Sequence, residues 1–208
     1  MSNLNPPWLT KKQRLVKRVF DLIASILMLI LFLPLMVLIA IAIRIDSPGP
    51  VILKQKRVGE NGDRFGMYKY RSMAQEAMDQ IENPGQNDLN QTHKLPEDPR
   101  TTRVGRLLRR SSLDELPQLF NVIKGEMSLV GPRPELPIFV NQYQPWQKTR
   151  LTYPQGMTGW WQINGRNLQP MYRYTEYDLY YIQHYSFWLD ITIFMKTIWV
   201  VIRGKGAF

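Results

Sequence analysis

No charged residue interrupts the chain between Leu22 and Ile43, and nearly every residue in that run is apolar. About 18 such residues suffice for a helix that crosses the hydrocarbon core of a bilayer, so the fold has to accommodate a membrane segment. The run is too long for a cleaved signal peptide, and no small-residue cleavage site follows it. A single straight span is the simplest arrangement, but two features favour another. Lys11, Lys12, Arg14, Lys17 and Arg18 precede the run, while Arg44, Lys54, Lys56 and Arg57 follow it, so both flanks ask for the cytoplasmic side. Pro34, near the middle, removes a helical donor and crowds the preceding turn. A helix that enters one leaflet, breaks at Leu33-Pro34 and returns satisfies both features. Its freed carbonyls then need partners from the protein, because lipid supplies none.

Asp46-Ser47-Pro48-Gly49-Pro50 stops the helix and turns the chain into a surface domain. Val51 to Arg57 and Arg64 to Tyr70 flank a Gly59-Glu60-Asn61-Gly62 turn and predict a β-hairpin. Gln55, Arg57, Lys69 and Arg71 project polar and cationic groups from it, as a solvated basic face or a phosphate-facing one. Ala74 to Ile81 predicts a short helix, and the polar stretch Glu82 to Pro96 a loop, either a substrate lid or ordinary surface. Arginines at 100, 103, 106, 109 and 110 follow. With a net charge of +10, the chain needs an anionic partner. Nucleic acid is disfavoured, because base-stacking aromatics are missing from the arginine run and no nucleic-acid motif matches. The chain has no cysteine and only His93 and His184, which excludes disulfides, thiolate chemistry and a Cys- or His-built zinc site.

The stretch RRSSLDELPQLFNVIKGEMSLVGPRPE, Arg109 to Glu135, sets the adjacent carboxylates Asp114 and Glu115 among basic residues and ends on the rigid turn Gly131-Pro132-Arg133-Pro134. Ser112-x-x-Glu115 has the form of a capping box, and Leu113, Leu116, Leu119, Phe120 and Ile123 recur near helical spacing, so an ordinary amphipathic helix is one reading. Pro117 argues for a later start, because five residues into a helix it would remove a needed donor, whereas a helix beginning at Leu116 or Pro117 tolerates it. That start leaves Asp114 and Glu115 at the helix mouth, where free N–H groups also attract phosphate. Arg109, Arg110 and Arg133 offer forked donors for its oxygens, and a phosphate site is the sharper reading.

Lys148 to Arg166, KTRLTYPQGMTGWWQINGR, combines Gly156, Gly159 and Gly165 with Trp160 and Trp161, which are expected in the core rather than stacked on a nucleobase. In the final run FWLDITIFMKTIWVVIRGKG, Asp190 and Lys196 argue against a second full span, while Trp188 and Trp199 suit a helix in the headgroup region.

Six ordered blocks carry a resemblance. They are KRVFD at 17–21, DSPGPVILKQKRVG at 46–59, YKYRSM at 68–73, DPRTTRVGRLLRRSSLDELPQLFNVIKGEMSLVGPRPE at 98–135, PQGMTGWWQINGR at 154–166 and RGKGA at 203–207. From about Lys17 to Ala207 the chain resembles the bacterial sugar transferases known as monotopic polyprenyl-phosphate phosphoglycosyl transferases. The resemblance implies transfer of a sugar-1-phosphate from a UDP-sugar to polyprenyl (undecaprenyl) phosphate, releasing UMP. It implies Mg²⁺, an Asp-Glu pair with Asp114 as nucleophile and metal ligand and Glu115 beside it, and Arg166 as a further phosphate-binding residue. It also implies a re-entrant helix in the cytoplasmic leaflet of the bacterial inner membrane. The family often has Ser-Pro at the membrane break, where this chain has Leu33-Pro34.

The expected fold is mainly α with a small β-hairpin. Residues 1–45 form a membrane-associated re-entrant helix, and residues 46–208 a cytoplasmic catalytic domain with an interfacial C-terminal helix. Asp114 and Glu115 are the expected catalytic pair, with Arg109, Arg133, Arg166, Lys69 and Arg71 on substrate phosphates. The sequence leaves open which sugar is carried, whether Glu115 is base or metal ligand, and whether the chain forms a homodimer. Two rival readings are the same reaction through a non-covalent ternary complex, and a basic membrane adaptor without turnover.

Overall fold

The structure, a computed structural model, describes residues 9–74, 99–165 and 175–202. Beyond Ala74, the expected helix to Ile81 and the polar loop of 82–96 lie outside these residues, as do Arg166 and the RGKGA tail. The described chain is mostly helical, with two small sheets.

Helix α1 (Lys11–Asp46) starts at Thr10, whose hydroxyl accepts from the Gln13 N–H while the Gln13 side chain accepts from the Thr10 N–H. Its 36 residues make it about 54 Å long at the usual rise. It remains one helix through Leu33 and Pro34, so the expected break is not a gap in the helix. Proline removes a single donor, and the turns on either side keep theirs. Only 17% of its most apolar stretch is buried, which separates α1 from a covered core helix. Burial follows one face, with Lys17, Asp21 and Ser25 in the first half and Met36, Ile39 and Ile43 in the second. On the other face Leu27, Leu31 and Leu38 are each more than 60% exposed.

Both halves of α1 are tied to the same body. Near its start, the Lys17 ammonium donates to the Val130 carbonyl at 2.7 Å and pairs with Asp190 at 2.7 Å, and the Asp21 carboxylate accepts from the Leu129 N–H at 3.0 Å. Near its end, the Tyr70 hydroxyl donates to the Met36 carbonyl at 2.9 Å, and Asp46 accepts from the Val104 N–H at 3.1 Å. The Lys17–Asp190 pair is almost wholly buried, so Lys17→Met strands a carboxylate in an apolar setting. We expect that substitution to cost about 3–5 kcal/mol in chemical unfolding, whereas Lys12→Met at the exposed start of the helix changes little.

The hairpin forms as predicted. Strands β1 (Ile52–Val58) and β2 (Arg64–Tyr70) pair antiparallel with Ile52 opposite Tyr70 and Val58 opposite Arg64. The turn between them holds Asn61 and Gly62 at φ of 55° and 87°, a left-handed conformation that suits these two residue types.

Helix α2 (Arg103–Ser111) is capped by Thr102, whose hydroxyl accepts from the Gly105 N–H at 2.9 Å. Ser112, at φ 58°, closes this helix in the left-handed conformation instead of opening the next, so the capping box suggested by Ser112-x-x-Glu115 does not form. A 3₁₀ turn, Leu113–Glu115, then leads to α3 (Gln118–Lys124), which begins just after Pro117 as the proline argument required. Arg18 donates to the carbonyls of Val122 and Ile123 and so satisfies the C-terminal end of α3.

Strand β3 (Ser128–Val130) is followed by the single turns α4 (Pro137–Val140) and α5 (Pro145–Lys148), then by β4 (Gly156–Thr158), which runs parallel to β3. A side chain on Gly156 would come within 2.1 Å of the Gly131 nitrogen, and one on Gly131 within 2.2 Å of the Pro154 carbonyl. The Gly-Pro-Arg-Pro turn therefore sits directly on the segment that enters β4. Helices α6 (Trp160–Asn164), α7 (Thr175–Gln183) and α8 (Phe187–Ile202) complete the described chain. Trp161 is buried and Trp160 stacks on Tyr180, in line with the core role expected for this pair. In α8, Asp190 and Ile193 are buried while Trp188 and Trp199 are exposed, so the helix covers the core and leaves an apolar outer face.

Two apolar clusters hold these parts together, and α1 packs against both. Phe20, Ala24 and Met28 lie against the cluster of Leu119, Val122, Leu129 and Ile182. Met36, Ile39 and Ile43 join Tyr70 and Leu108 in the second, against which Leu113 and Leu116 also pack.

Candidate active site

Leu113 and Leu116 bracket the Asp-Glu pair, so burying these leucines in the α1 cluster fixes the turn that carries both carboxylates. The two carboxylates then diverge. Asp114 is fully buried and pairs with the Lys69 ammonium of β2 at 2.9 Å, a contact close in distance but not aligned as a hydrogen bond. Neither of its oxygens has a hydrogen-bond partner. Glu115 receives the forked guanidinium of Arg133, at 2.6 Å and 3.3 Å to its two oxygens. Burial works against the Arg133 charge, but Glu115 first, then Asp114 and Glu135, outweigh it and raise its pKa above the ordinary arginine value.

The backbone of Arg133 is held as firmly as its side chain. Buried Arg150 donates to the Arg133 carbonyl at 2.7 Å, pairs with Asp178 at 2.6 Å and donates to the Tyr143 hydroxyl. Beside the turn, Glu135 pairs with Arg57 at 3.2 Å, and Arg57 donates to Gln55 at 2.7 Å. Alternating charge of this kind, in a site of low dielectric, presents a preset field to an anionic ligand.

Of the residues expected from sequence, Lys69, Asp114, Glu115 and Arg133 come together. Arg109 is buried and donates to Thr101 at 2.9 Å, while Arg110 is exposed. Arg71 lies at the end of α1. It is buried, and its guanidinium donates to the Ile43 and Ser47 carbonyls and to the Ser47 hydroxyl at 3.3, 2.6 and 3.0 Å. All three bonds come from one nitrogen, and the other two guanidinium nitrogens have no hydrogen-bond partner. Arg166 lies outside the described residues. Sequence reasoning missed Arg150, Asp178, Glu135 and Tyr143. A lone aspartate within the aromatic run YDLYYI was the signal for Asp178, because a charge so placed is normally paired.

Among the described residues no three His, Asp or Glu side chains gather as a metal cluster. The donor set that suits Mg²⁺ here is the Asp114 carboxylate, whose oxygens lack hydrogen-bond donors. A magnesium ion commonly takes one or two protein carboxylates and completes its shell with phosphates and water.

Burial pushes the Tyr143 hydroxyl up to about 12, partly offset by Arg150. Between the unfolded value near 10 and that folded value, the unfolded chain loses its phenolic proton first. The stability held by neutral Tyr143 is therefore complete below pH 10 and lost as pH rises through 12, by about 1.4 kcal/mol per pH unit. Tyr143→Phe is expected to reduce the alkaline slope by that share in urea unfolding followed by tryptophan fluorescence, with the other buried tyrosines keeping theirs.

A model of the family described as "Bacterial sugar transferase" matches residues 12–204. Among curated relatives, the chain is 41% identical over 204 residues to the undecaprenyl-phosphate galactose phosphotransferase of Salmonella typhimurium, covering 95% of this chain and 43% of that protein. It is 40% identical over 203 residues to the UDP-glucose:undecaprenyl-phosphate glucose-1-phosphate transferase of Escherichia coli, covering 94% and 42%. Against the exopolysaccharide production protein ExoY of Rhizobium meliloti it is 38% identical over 200 residues, covering 93% and 88%. The chain thus spans less than half the length of the first two and most of the third. On the family match across nearly its whole length, the chain belongs to the bacterial sugar transferases.

Proposed function

We propose that the chain moves a sugar-1-phosphate from a UDP-sugar to a polyprenyl phosphate, through a phosphosugar carried on Asp114. The observation that carries this reading is a buried carboxylate without hydrogen-bond donors, facing Lys69, on a turn whose flanking leucines pack on the long apolar helix. Family membership and the relatives' names, which join undecaprenyl phosphate to galactose phosphate or glucose-1-phosphate, supply the substrate class.

In the first step an Asp114 oxygen attacks the β-phosphorus of the UDP-sugar. The bond from that phosphorus to the bridging oxygen breaks, and UMP leaves with the electron pair. In the second step an oxygen of the polyprenyl phosphate attacks the same phosphorus, the bond to Asp114 breaks, and the carboxylate is restored. Two anions must meet at one phosphorus, so positive charge is the main requirement, and Lys69 and Arg133 are placed to supply it. Asp114 would hold a Mg²⁺ ion, which when bound would add to that screening. Glu115 holds Arg133 in position while the site waits. Full burial of Asp114 keeps water from the acyl phosphate.

The membrane arrangement follows from α1. A straight span separates its ends by about the thickness of the bilayer, yet one body grips this helix at Lys17 and again at Asp46. Both ends therefore lie on one side, the cytoplasmic one by their basic flanks, and the exposed apolar face of α1 sits within a single leaflet of the bacterial inner membrane. A bend at Pro34, where one helical hydrogen bond is missing, would complete the re-entrant shape within a continuous helix. The lipid acceptor can then present its phosphate to Asp114 without leaving the bilayer, at the first step of surface polysaccharide assembly.

The experiment is UMP release from UDP-glucose, UDP-galactose and UDP-N-acetylgalactosamine with undecaprenyl phosphate, with and without Mg²⁺. Donor alone should leave a phosphosugar on the protein and release one equivalent of UMP. Turnover without any adduct would point to a ternary complex, and no turnover with any donor would remove the enzymatic reading.

A further inference from the structure

Gln118 is 1% exposed, and neither its amide nitrogen nor its amide oxygen has a partner. A buried primary amide left unpaired is costly, and a leucine would fill the same space without that cost. Its position gives the reason a context. From Leu113 to Lys124 the backbone stays helical, with Leu116 at φ −52°, ψ −38° and Pro117 at φ −61°, ψ −16° joining the 3₁₀ turn to α3. Asp114, Gln118 and Asn121 therefore share one face, at spacings of four and three.

Both ends of that face are fixed against β2. Asp114 meets Lys69, while Asn121 accepts from the Tyr68 N–H at 2.9 Å and donates to the Gly66 carbonyl at 2.8 Å. Asn121 thus satisfies both halves of its amide on the strand. Gln118, one turn beyond Asp114, satisfies neither. A carboxylate and an amide, each buried and each without a hydrogen bond, thus lie one turn apart on the same helical face.

We infer that Gln118 binds the phosphosugar, its amide N–H donating to a phosphoryl oxygen and its carbonyl accepting from a sugar hydroxyl. An amide is suited to this ligand because it matches an acceptor and a donor at once, which neither Lys69 nor Arg133 can do. The inference rests on the nucleotide-sugar reading of the site, and it assigns the sugar-phosphate half of the donor to Gln118 and not the uridine half.

The test measures binding without chemistry. In an Asp114→Asn background, the affinities of UDP-glucose, UDP-galactose, UDP-N-acetylgalactosamine and UMP are compared for Gln118, Gln118→Met and Gln118→Glu. Methionine keeps the shape, and thermal midpoints report folding. The expected result is a loss of about 10-fold or more in affinity for the bound UDP-sugar on Gln118→Met, with UMP affinity unchanged and the midpoint equal or higher. Glutamate should weaken the UDP-sugar further, by repulsion from phosphate. Equal affinity for the UDP-sugar, or an equal loss for UMP, overturns the assignment. If none of the three UDP-sugars binds the Gln118 parent, the nucleotide-sugar reading itself falls and the assignment falls with it.

Discussion

Asp114→Asn is expected to lower UMP release by about 10⁴-fold or more and to abolish the phosphosugar adduct. Asparagine keeps the shape of the side chain, so the leucines on either side should still pack against α1 and the turn should keep its place. What it loses is the electron pair that forms the bond to phosphorus, since an amide oxygen is a far weaker nucleophile than a carboxylate. Lys69 is left without its counter-charge but is partly exposed, so water can solvate it and the fold should survive. The measurement is single-turnover UMP release from purified, folded protein, alongside mass analysis of donor-treated enzyme. Activity within tenfold of the parent would mean that Asp114 is not the attacking group.

A large loss of stability is also expected at a residue that never touches substrate. Arg150→Met removes the partner of Asp178 at a fully buried position, which should cost about 3–5 kcal/mol. The pH dependence carries a sign. Burial already raises the Asp178 pKa above the ordinary carboxylate value, with Arg150 opposing the rise. A carboxyl whose folded pKa is raised contributes stability below its unfolded pKa and loses it as pH rises through the folded one. Without Arg150 the rise is greater, so the variant should be more stable at pH 5 than at pH 7.5 in urea unfolding. Asp178→Leu placed on top of Arg150→Met should recover much of the loss at pH 7.5 and remove the slope. Turnover should stay low in that double variant, because the Arg133 carbonyl has lost its donor either way.

Local pattern announced those parts of the molecule whose causes are local. The hairpin was legible because turn residues and strand residues follow one another within a short stretch, while its register came from the structure. The start of α3 was legible because proline admits few positions in a helix. Ser112 was misread for a related reason, since Ser-x-x-Glu suits a helix start by composition, yet the left-handed conformation at Ser112 ends the preceding helix. Lys17 and Arg18 looked like ordinary basic flanks of a membrane segment. Instead they reach carbonyls more than a hundred residues away, which no short window contains. The contact of Arg71 with Ser47 was hidden by the same route, because it is set by where the end of α1 lands. Of the candidate site, the Asp-Glu pair, Lys69 and Arg133 were visible as motif residues, while the Arg150 support beneath them needed three dimensions.

The grip of one body on both halves of α1 has a consequence for how the protein can be handled. If α1 lies in one leaflet as proposed, the protein should be content with a phospholipid film spread at an air–water interface, where no second aqueous compartment exists. Surface pressure would then become a control variable, and compressing the film should expel the enzyme reversibly, taking its activity toward film-borne acceptor with it.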